Sequence, residues 1–295
     1  GTPAFAVPSL ERLLAEGEEV VVVVTQPDRP RGRGHHVKPS PVKVTASARN
    51  IPILQPERAR DPQFARELAT YDVELGVVVA YGQILPDAIL NTPAAGLINV
   101  HASLLPRYRG ASPIQRAIIA GEPETGITMI RLIREMDAGP VLARLTQPIN
   151  NDETSEELEN SLALLGANLL QSTVGAIASG SLQEEPQNDA LATFAPRITK
   201  EEGRIDWSKP ASSIHNLVRG TCPWPRAFTF LEGARLLIRR TSIETSAAAL
   251  STGEPGELLE VAGDRILVAC GEATSLAIQE LQPEGGRALP TRSFL

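Results

Sequence analysis

The sequence predicts an α/β fold: a doubly wound, mostly parallel sheet of the Rossmann-like kind, followed by a small C-terminal β-barrel. Three observations predict it. Apolar strand-like runs alternate with capped, helix-like segments through the first half of the chain. A long helix opened by a capping box closes that half. From Asp206 onward the pattern changes to short alternating runs divided by Gly, Pro and acidic residues, as in a small antiparallel β-domain.

Each element has its own signal. Pro8–Glu16 follows a Gly-Thr-Pro turn, carries proline in its first turn and reads as a helix. Glu19–Thr25 contains five consecutive valines and reads as a buried strand. Asp61 caps a helix with Pro62 at its first position, ending near Thr70. Val73–Val79 and Gly96–Val100 are the next strands. Ser112–Ala120 is a helix closed by Gly121, and Gly126–Arg131 and Val141–Leu145 are further strands. Thr154 and Glu157 have capping-box spacing, opening a helix that runs to about Ala178 and ends at Gly180. Ala227–Leu231, Arg235–Arg240, Arg265–Ala269 and Ser275–Leu281 supply the strands of the β-domain, for which an OB-like barrel is expected. The resulting division is a catalytic domain over 1–180, a polar linker over 181–205 and a β-barrel domain over 206–295. A helix at Pro8 that follows directly on a turn also calls for a sheet strand ahead of Gly1.

Composition narrows the class. A chain of 295 residues with 42% hydrophobic residues can bury a sizeable core. No apolar run is read as long enough to cross a bilayer, so no membrane partner is expected. The two cysteines, Cys222 and Cys270, exclude a disulfide framework and point to the cytoplasm. Neither cysteine has metal-ligand spacing, and the four histidines form no cluster beyond the adjacent pair His35-His36, so no metal is expected. The net charge of −7 argues against a nucleic-acid binder, but its distribution is uneven. Residues 147–190 hold eight acids and no Lys or Arg, whereas residues 29–43 hold five Lys or Arg and no acid. Residues 204–240 hold seven Lys or Arg against two acids. Local field rather than total charge attracts phosphate, although ordinary solvated surface has the same appearance.

Asn99 and His101 stand two apart at the end of a buried strand, so their side chains share a face. In open α/β sheets, ligands bind beyond the carboxyl ends of the strands. An amide donor and a proton acceptor there, with Asp137 in a turn between two later strands, make a candidate catalytic set. Asp137 is also an ordinary turn residue before Gly139, and Asn-x-His is also a common polar strand end.

The stretch Asn99-Val100-His101-Ala102-Ser103-Leu104-Leu105-Pro106-Arg107-Tyr108-Arg109-Gly110 resembles the signature of the folate-dependent formyltransferases. The resemblance implies that Asn99, His101 and Asp137 are catalytic and that Ser103, Leu104, Leu105 and Pro106 contact the folate. It implies 10-formyltetrahydrofolate as co-substrate, with no metal. Thr25–Gly34, Pro39–Lys43, Ala80–Gly82, Ser112–Arg116, Lys200–Trp207 and Pro223–Pro225 are similar to the family members that act on initiator methionyl-tRNA. Partners so implied are that tRNA and a reduced folate, with the enzyme a monomer; the rival acceptor is a sugar-nucleotide amine, and the rival class a non-catalytic tRNA-binding module. The tract from Arg29 to Lys43 reads as a loop in which Pro and Gly break helix and strand alike. By resemblance it enters the acceptor arm through Arg29, Arg31, Arg33, Lys38 and Lys43, with Arg33 foremost. Lys209, Arg219, Arg235 and Arg239 are expected to hold tRNA from the C-terminal domain. Phe5 is assigned to the methionyl side-chain pocket, against the alternative that it packs the first helix. The likeness runs from Gly1 to Leu295, and the family pattern extends past both. Departures within the chain are His35-His36, where lysines are frequent, and Pro140 after Gly139.

Overall fold

The structure is a computed structural model that describes residues 1–31, 36–244 and 253–295. The chain forms two compact units, each assembled from several stretches. The first comprises Gly1–Ala111, Thr125–Gln147 and Glu159–Ala195; the second comprises Ser112–Glu124, Pro148–Leu158 and Pro196–Leu295.

In chain order the first stretch carries α1 (Val7–Ala15), β1 (Val23–Val24), β2 (Arg29–Arg31), β3 (His36–Lys38), α2 (Pro41–Ser47), β4 (Ile53–Leu54), α3 (Pro62–Ala69), β5 (Gly76–Val78), α4 (Asp87–Leu90) and β6 (Leu97–His101). Then come α5 (Pro113–Ala120), β7 (Glu124–Arg131), β8 (Val141–Pro148) and α6 (Ser155–Ala178). The first unit contains the parallel pair β1–β4 and a four-stranded sheet in the order β5-β6-β7-β8. β5 and β6 are parallel, and β7 runs antiparallel to β6 with Thr128 opposite His101. The β1–β4 and β5–β6 pairs do not hydrogen-bond to each other among the described residues. An apolar cavity of about 980 Å³ lies there, lined by residues 20–24 and 73–79.

Helix ends fall where capping chemistry put them. Asp61 Oδ1 accepts the Gln63 N–H at 2.9 Å, and Gly121 closes α5 at φ 75°. The box at Thr154 is complete. Glu157 accepts from the Thr154 amide and hydroxyl at 2.8 Å each, and its own N–H returns to the Thr154 oxygen at 3.3 Å. Those bonds hold the Glu157 carboxyl below its usual range.

Three local expectations change. The basic tract does form strand: β2 and β3 pair in antiparallel register, Arg29 opposite Lys38 and Pro30 opposite Val37. Proline at a hairpin edge forfeits a single donor, which an edge strand tolerates. α2 begins inside that tract at Pro41 and runs on to Ser47, where no element is expected, started by the Ser40 hydroxyl accepting the Lys43 N–H at 3.1 Å. Finally, α6 is 24 residues long with mean hydropathy 1.4 over its most apolar stretch, long and apolar enough to cross a bilayer by length and composition. Its apolar character has a core explanation, since Leu158, Leu162, Leu169 and Leu170 are buried.

The second unit adds α7 (Ala211–Gly220), β9 (Ala227–Leu231), β10 (Ala234–Ile243), β11 (Leu258–Ala262), β12 (Arg265–Ala269), β13 (Ser275–Pro283), β14 (Leu289–Pro290) and α8 (Thr291–Phe294). Its sheet is antiparallel, in the order β11-β12-β13-β10-β9, with β14 also on β13. The core joins Ile214 and Val218 of α7 to Ile238, Ile266, Leu276 and Leu281 of the sheet.

One packing contact bears directly on the strand that carries Asn99 and His101. A Cβ added at Gly166 of α6 would lie 2.8 Å from Val100 Cγ1 and 3.6 Å from Ile127. Valine is stiff at χ1, so Val100 cannot swing aside cheaply. Helix propensity alone would make Gly166→Ala stabilising by roughly 1 kcal/mol. Overpacking opposes it with about 1–3 kcal/mol. Gly166→Ala is therefore expected to lower the melting temperature, measured by calorimetry, and to reduce turnover through displacement of Val100.

Candidate active site

β6 is buried at all five positions, Leu97 to His101, although two of them are polar. Gly96 starts the strand at φ 74°. The apolar residues Leu97, Ile98 and Val100 drive its burial, and Asn99 and His101 are carried in with them at 8% and 6% exposure. The Nε2 of His101 lies 3.0 Å from the Tyr108 carbonyl oxygen. A carbonyl only accepts, so Nε2 carries the hydrogen and Nδ1 is left facing Asp137 Oδ1 at 3.7 Å. The Asn99 carboxamide makes no hydrogen bond among the described residues and is not among the fully enclosed unpaired polar groups there, which are those of Ser9, Tyr81, Arg235 and Arg265. An amide that keeps its donors unspent while still open to the outside suits a polarised oxygen arriving with a ligand.

The loop after β6 is held by backbone chemistry. Thr128 on β7 donates to the Ser103 carbonyl at 2.6 Å and accepts the Leu105 N–H at 3.1 Å. Ser103 donates to the Arg107 carbonyl at 2.7 Å, and the Leu105–Pro106 peptide is cis. Leu105 packs with Ile130 and Val141. Ser103 and Leu105 are therefore turned inward and buried, while Leu104 and Pro106 are the half-buried pair. Thr128 has no motif of its own; its only sequence signal is a hydroxyl between Ile127 and Met129 on a strand that also carries Thr125.

Asp137 sits in the β7–β8 connection at φ 52°, a left-handed conformation for a residue with a side chain. Its Oδ2 accepts the Gly110 N–H at 2.9 Å, so the carboxylate joins the end of the motif loop to His101. A Cβ at Gly139 would collide with the Arg131 carbonyl, so only glycine fits this closing turn. Pro140 does not disturb it, since its carbonyl accepts the Arg131 N–H at 3.0 Å. Asn99, His101, Asp137 and residues 103–110 thus converge within the first unit, at the carboxyl end of β6.

A family model described as formyl transferase matches residues 1–174, and one described as formyl transferase, C-terminal domain, matches residues 197–295. The chain belongs to the formyl transferase family. Curated relatives named methionyl-tRNA formyltransferase include one from Geobacter sulfurreducens, 47% identical over 295 residues, covering 100% of this chain and 91% of the relative. Another, from Pseudomonas putida, is 46% identical over 291 residues, covering 98% and 91%. Among solved structures, WlaRD, a sugar 3N-formyl transferase crystallised in the presence of dTDP and 5-N-formyl-THF, is similar in fold. Its TM-score is 0.72 over 94% of both chains at 18% identity. The Rossmann-like domain followed by an antiparallel C-terminal domain is this family's fold.

The cations expected to meet tRNA in this formyl transferase differ in their surroundings. Arg29, Lys38 and Lys209 are exposed. Lys43 is bound to Asp28 at 2.6 Å and Gln55 at 2.7 Å, and Arg239 to Glu280 at 2.6 Å. The Arg235 guanidinium lies 4.0 Å from the centre of the Phe228 ring. Arg33 lies outside the described residues, and Arg31 is described only as backbone of β2. Phe5, at 7% exposure, is part of the core, as are Ala6 and Leu10 beside it. Among the described residues no three His, Cys, Asp or Glu side chains group as metal ligands.

Arg219 is the correction. It is 7% exposed and donates to the carbonyls of Asn150 and Glu153 at 3.0 and 3.3 Å and to Asn216 at 2.9 Å. Burial pushes its guanidinium below the ordinary arginine range, against the pull of Asp152 and Glu153. It pins the turn ahead of α6 and offers nothing to an external phosphate. Arg219→Ala is expected to cost about 1–3 kcal/mol of stability through the two carbonyls left unpaired. The salt dependence of tRNA binding, followed by filter retention, should not change.

Proposed function

We propose that the chain transfers the formyl group of 10-formyltetrahydrofolate to the α-amine of methionyl initiator tRNA, giving N-formylmethionyl-tRNA. The observation that carries this reading is the unpartnered Asn99 amide beside the His101–Asp137 pair, in a chain nearly half identical over its full length to relatives bearing that name. Residues 1–180, with the part of the 181–205 stretch that belongs to the first unit, act as the catalytic domain, and 206–295 act as the tRNA-holding domain. The enzyme works as a cytoplasmic monomer without a membrane or metal.

As the amine nitrogen bonds to the formyl carbon, negative charge gathers on the formyl oxygen, and the Asn99 N–H donates to it. The bond from that carbon to folate N10 then breaks. The amine loses a proton and N10 gains one, with His101 as the group that moves it. Asp137 holds the imidazole ring in its orientation. Leu104 and Pro106, the less buried half of the Ser103–Pro106 loop, meet the folate by side chain, and Ser103 and Leu105 shape its backbone. Phe5 walls the pocket for the methionyl side chain. Arg29, Arg31, Arg33 and Lys38 meet the acceptor arm, with Lys43 once it leaves Asp28. Lys209, Arg235 and Arg239 meet the tRNA from the C-terminal domain.

The deciding assay supplies labelled 10-formyltetrahydrofolate together with charged initiator tRNA and an amino-sugar nucleotide. Label on the aminoacyl-tRNA is expected; label on the sugar nucleotide, or released only as formate, overturns the assignment. Asn99→Ala should lower kcat by about 10²–10³ while leaving tRNA affinity intact. Affinity for tRNA should fall steeply with salt, and Arg29→Ala and Lys209→Ala should each reduce the log–log slope by about one. A flat salt response would remove the phosphate contacts from the proposal.

A further inference from the structure

The stretch after α6 reads in sequence as linker, yet one of its residues is bonded into the site. The Gln187 amide uses its full hydrogen-bonding capacity. Its Nε2 donates to the carbonyls of Asp137 and Gly139 at 2.8 and 2.7 Å. Its Oε1 accepts from Arg109 Nε and Nη2 at 3.2 and 2.8 Å. The amide orientation is fixed by its neighbours, because carbonyls only accept and a guanidinium only donates. Arg109 is 6% exposed, and its other bond, from Nη2 to Asp189, goes to the same stretch.

Asp137 needs such a clamp. A non-glycine residue in the left-handed region persists only where its surroundings over-determine it. Asp137 is held through its carboxylate by the Gly110 N–H, through its own carbonyl by Gln187, and two residues on by the Gly139 carbonyl on the same amide. The rest of the stretch fixes the other side. Thr193 accepts the Tyr108 N–H at 2.9 Å through its hydroxyl and the Arg109 N–H at 2.9 Å through its carbonyl, and Ala195 donates to the Arg109 carbonyl at 2.7 Å. Tyr108 is the residue whose carbonyl receives His101 Nε2–H. Both partners of His101 are thus set from one segment.

We propose that Gln187 is a positioning residue for formyl transfer: by tying the Asp137 turn to Arg109, it holds the Asp137 carboxylate against His101. The proposal rests on the catalytic reading of Asn99, His101 and Asp137. Gln187 touches no reacting atom, so its loss should appear in kcat and not in substrate binding. Displacing a catalytic group's support by a fraction of an ångström typically costs roughly 10- to 100-fold in rate.

The test measures steady-state formylation of charged initiator tRNA by the full chain and by Gln187→Met, Gln187→Glu, Asp137→Asn and the Asp137→Asn/Gln187→Met double variant. Melting curves accompany each protein. Gln187→Met keeps the side-chain length and removes every bond. Gln187→Glu keeps the acceptor for Arg109 and removes the donors to the turn. Both are expected to lower kcat by roughly 10- to 100-fold with KM for folate and tRNA within about 3-fold of the parent. In the Asp137→Asn background, Gln187→Met should have less than about a 2-fold effect, because the group it positions is already disabled. Unchanged kcat, a rise in KM alone, or a full multiplicative loss in the double variant overturns the proposal. Should Gln187→Met fail to fold, Gln187→Glu alone decides by the same kcat and KM criterion. Absence of transfer by the parent chain would instead sink the catalytic reading.

Discussion

The structure turns on the cost of carrying an amide and an imidazole into a strand that is buried at every position. β6 buries because Leu97, Ile98 and Val100 leave water, and each polar side chain taken along must find a partner or remain unsatisfied. His101 is oriented by one hydrogen bond, from Nε2 to the Tyr108 carbonyl, while Nδ1 lies 3.7 Å from the Asp137 carboxylate, beyond hydrogen-bond reach. Asn99 is not engaged among the described residues. On the proposed reading that asymmetry separates two roles: one group is held in orientation by its neighbours, and the other keeps donors for a charge that arrives with substrate.

The holding is done largely by main chain. Thr128 clamps two backbone groups of the 103–105 segment, Asp137 takes the Gly110 N–H, and Thr193 and Ala195 pair with residues 108–109. Backbone clamps fix a loop without consuming the side chains that reach into the crevice. They also explain the two close-fitting glycines: a Cβ at Gly110 would lie 2.8 Å from the Ala195 carbonyl oxygen, and one at Gly139 would collide with that of Arg131. In both places the backbone of one segment must touch the backbone of another, which only glycine allows.

What was legible in the sequence was local chemistry. The spacing of Asn99 and His101 predicts a shared face because strand side chains alternate, and Asp61, Gly121 and the Thr154–Glu157 box mark helix ends within a residue or two. α7 went unread because its buried Ile214 and Val218 share the helix with His215 and Arg219, polar in sequence but buried in the structure. The β2–β3 pairing went unread because its prolines and glycines argue against strand locally, whereas pairing is decided across the hairpin. Gln187 carries no signal at all, and Thr128 only a hydroxyl that the strand pattern does not single out. Their significance arises from hydrogen bonds spanning about fifty and about twenty-five residues, and no local period encodes such contacts.

Arg219 shows the same limit for charge. Counting cations over 204–240 treats every arginine as surface, yet a guanidinium with five donors serves equally well for gathering loose carbonyls inside a fold. Lys43 and Arg239 occupy a middle ground. Each sits within 2.6 Å of a carboxylate, and their side chains are 27% and 25% exposed. Drawing either toward a phosphate exchanges one ion pair for another, so each contributes the difference between the two rather than a full contact. Among the described residues Arg29, Lys38 and Lys209 form no ion pair, although Asp206 lies near enough to Lys209 to feel its charge. Electrostatic recognition by this protein is therefore set less by how many cations the sequence holds than by how few of them the fold has already neutralised.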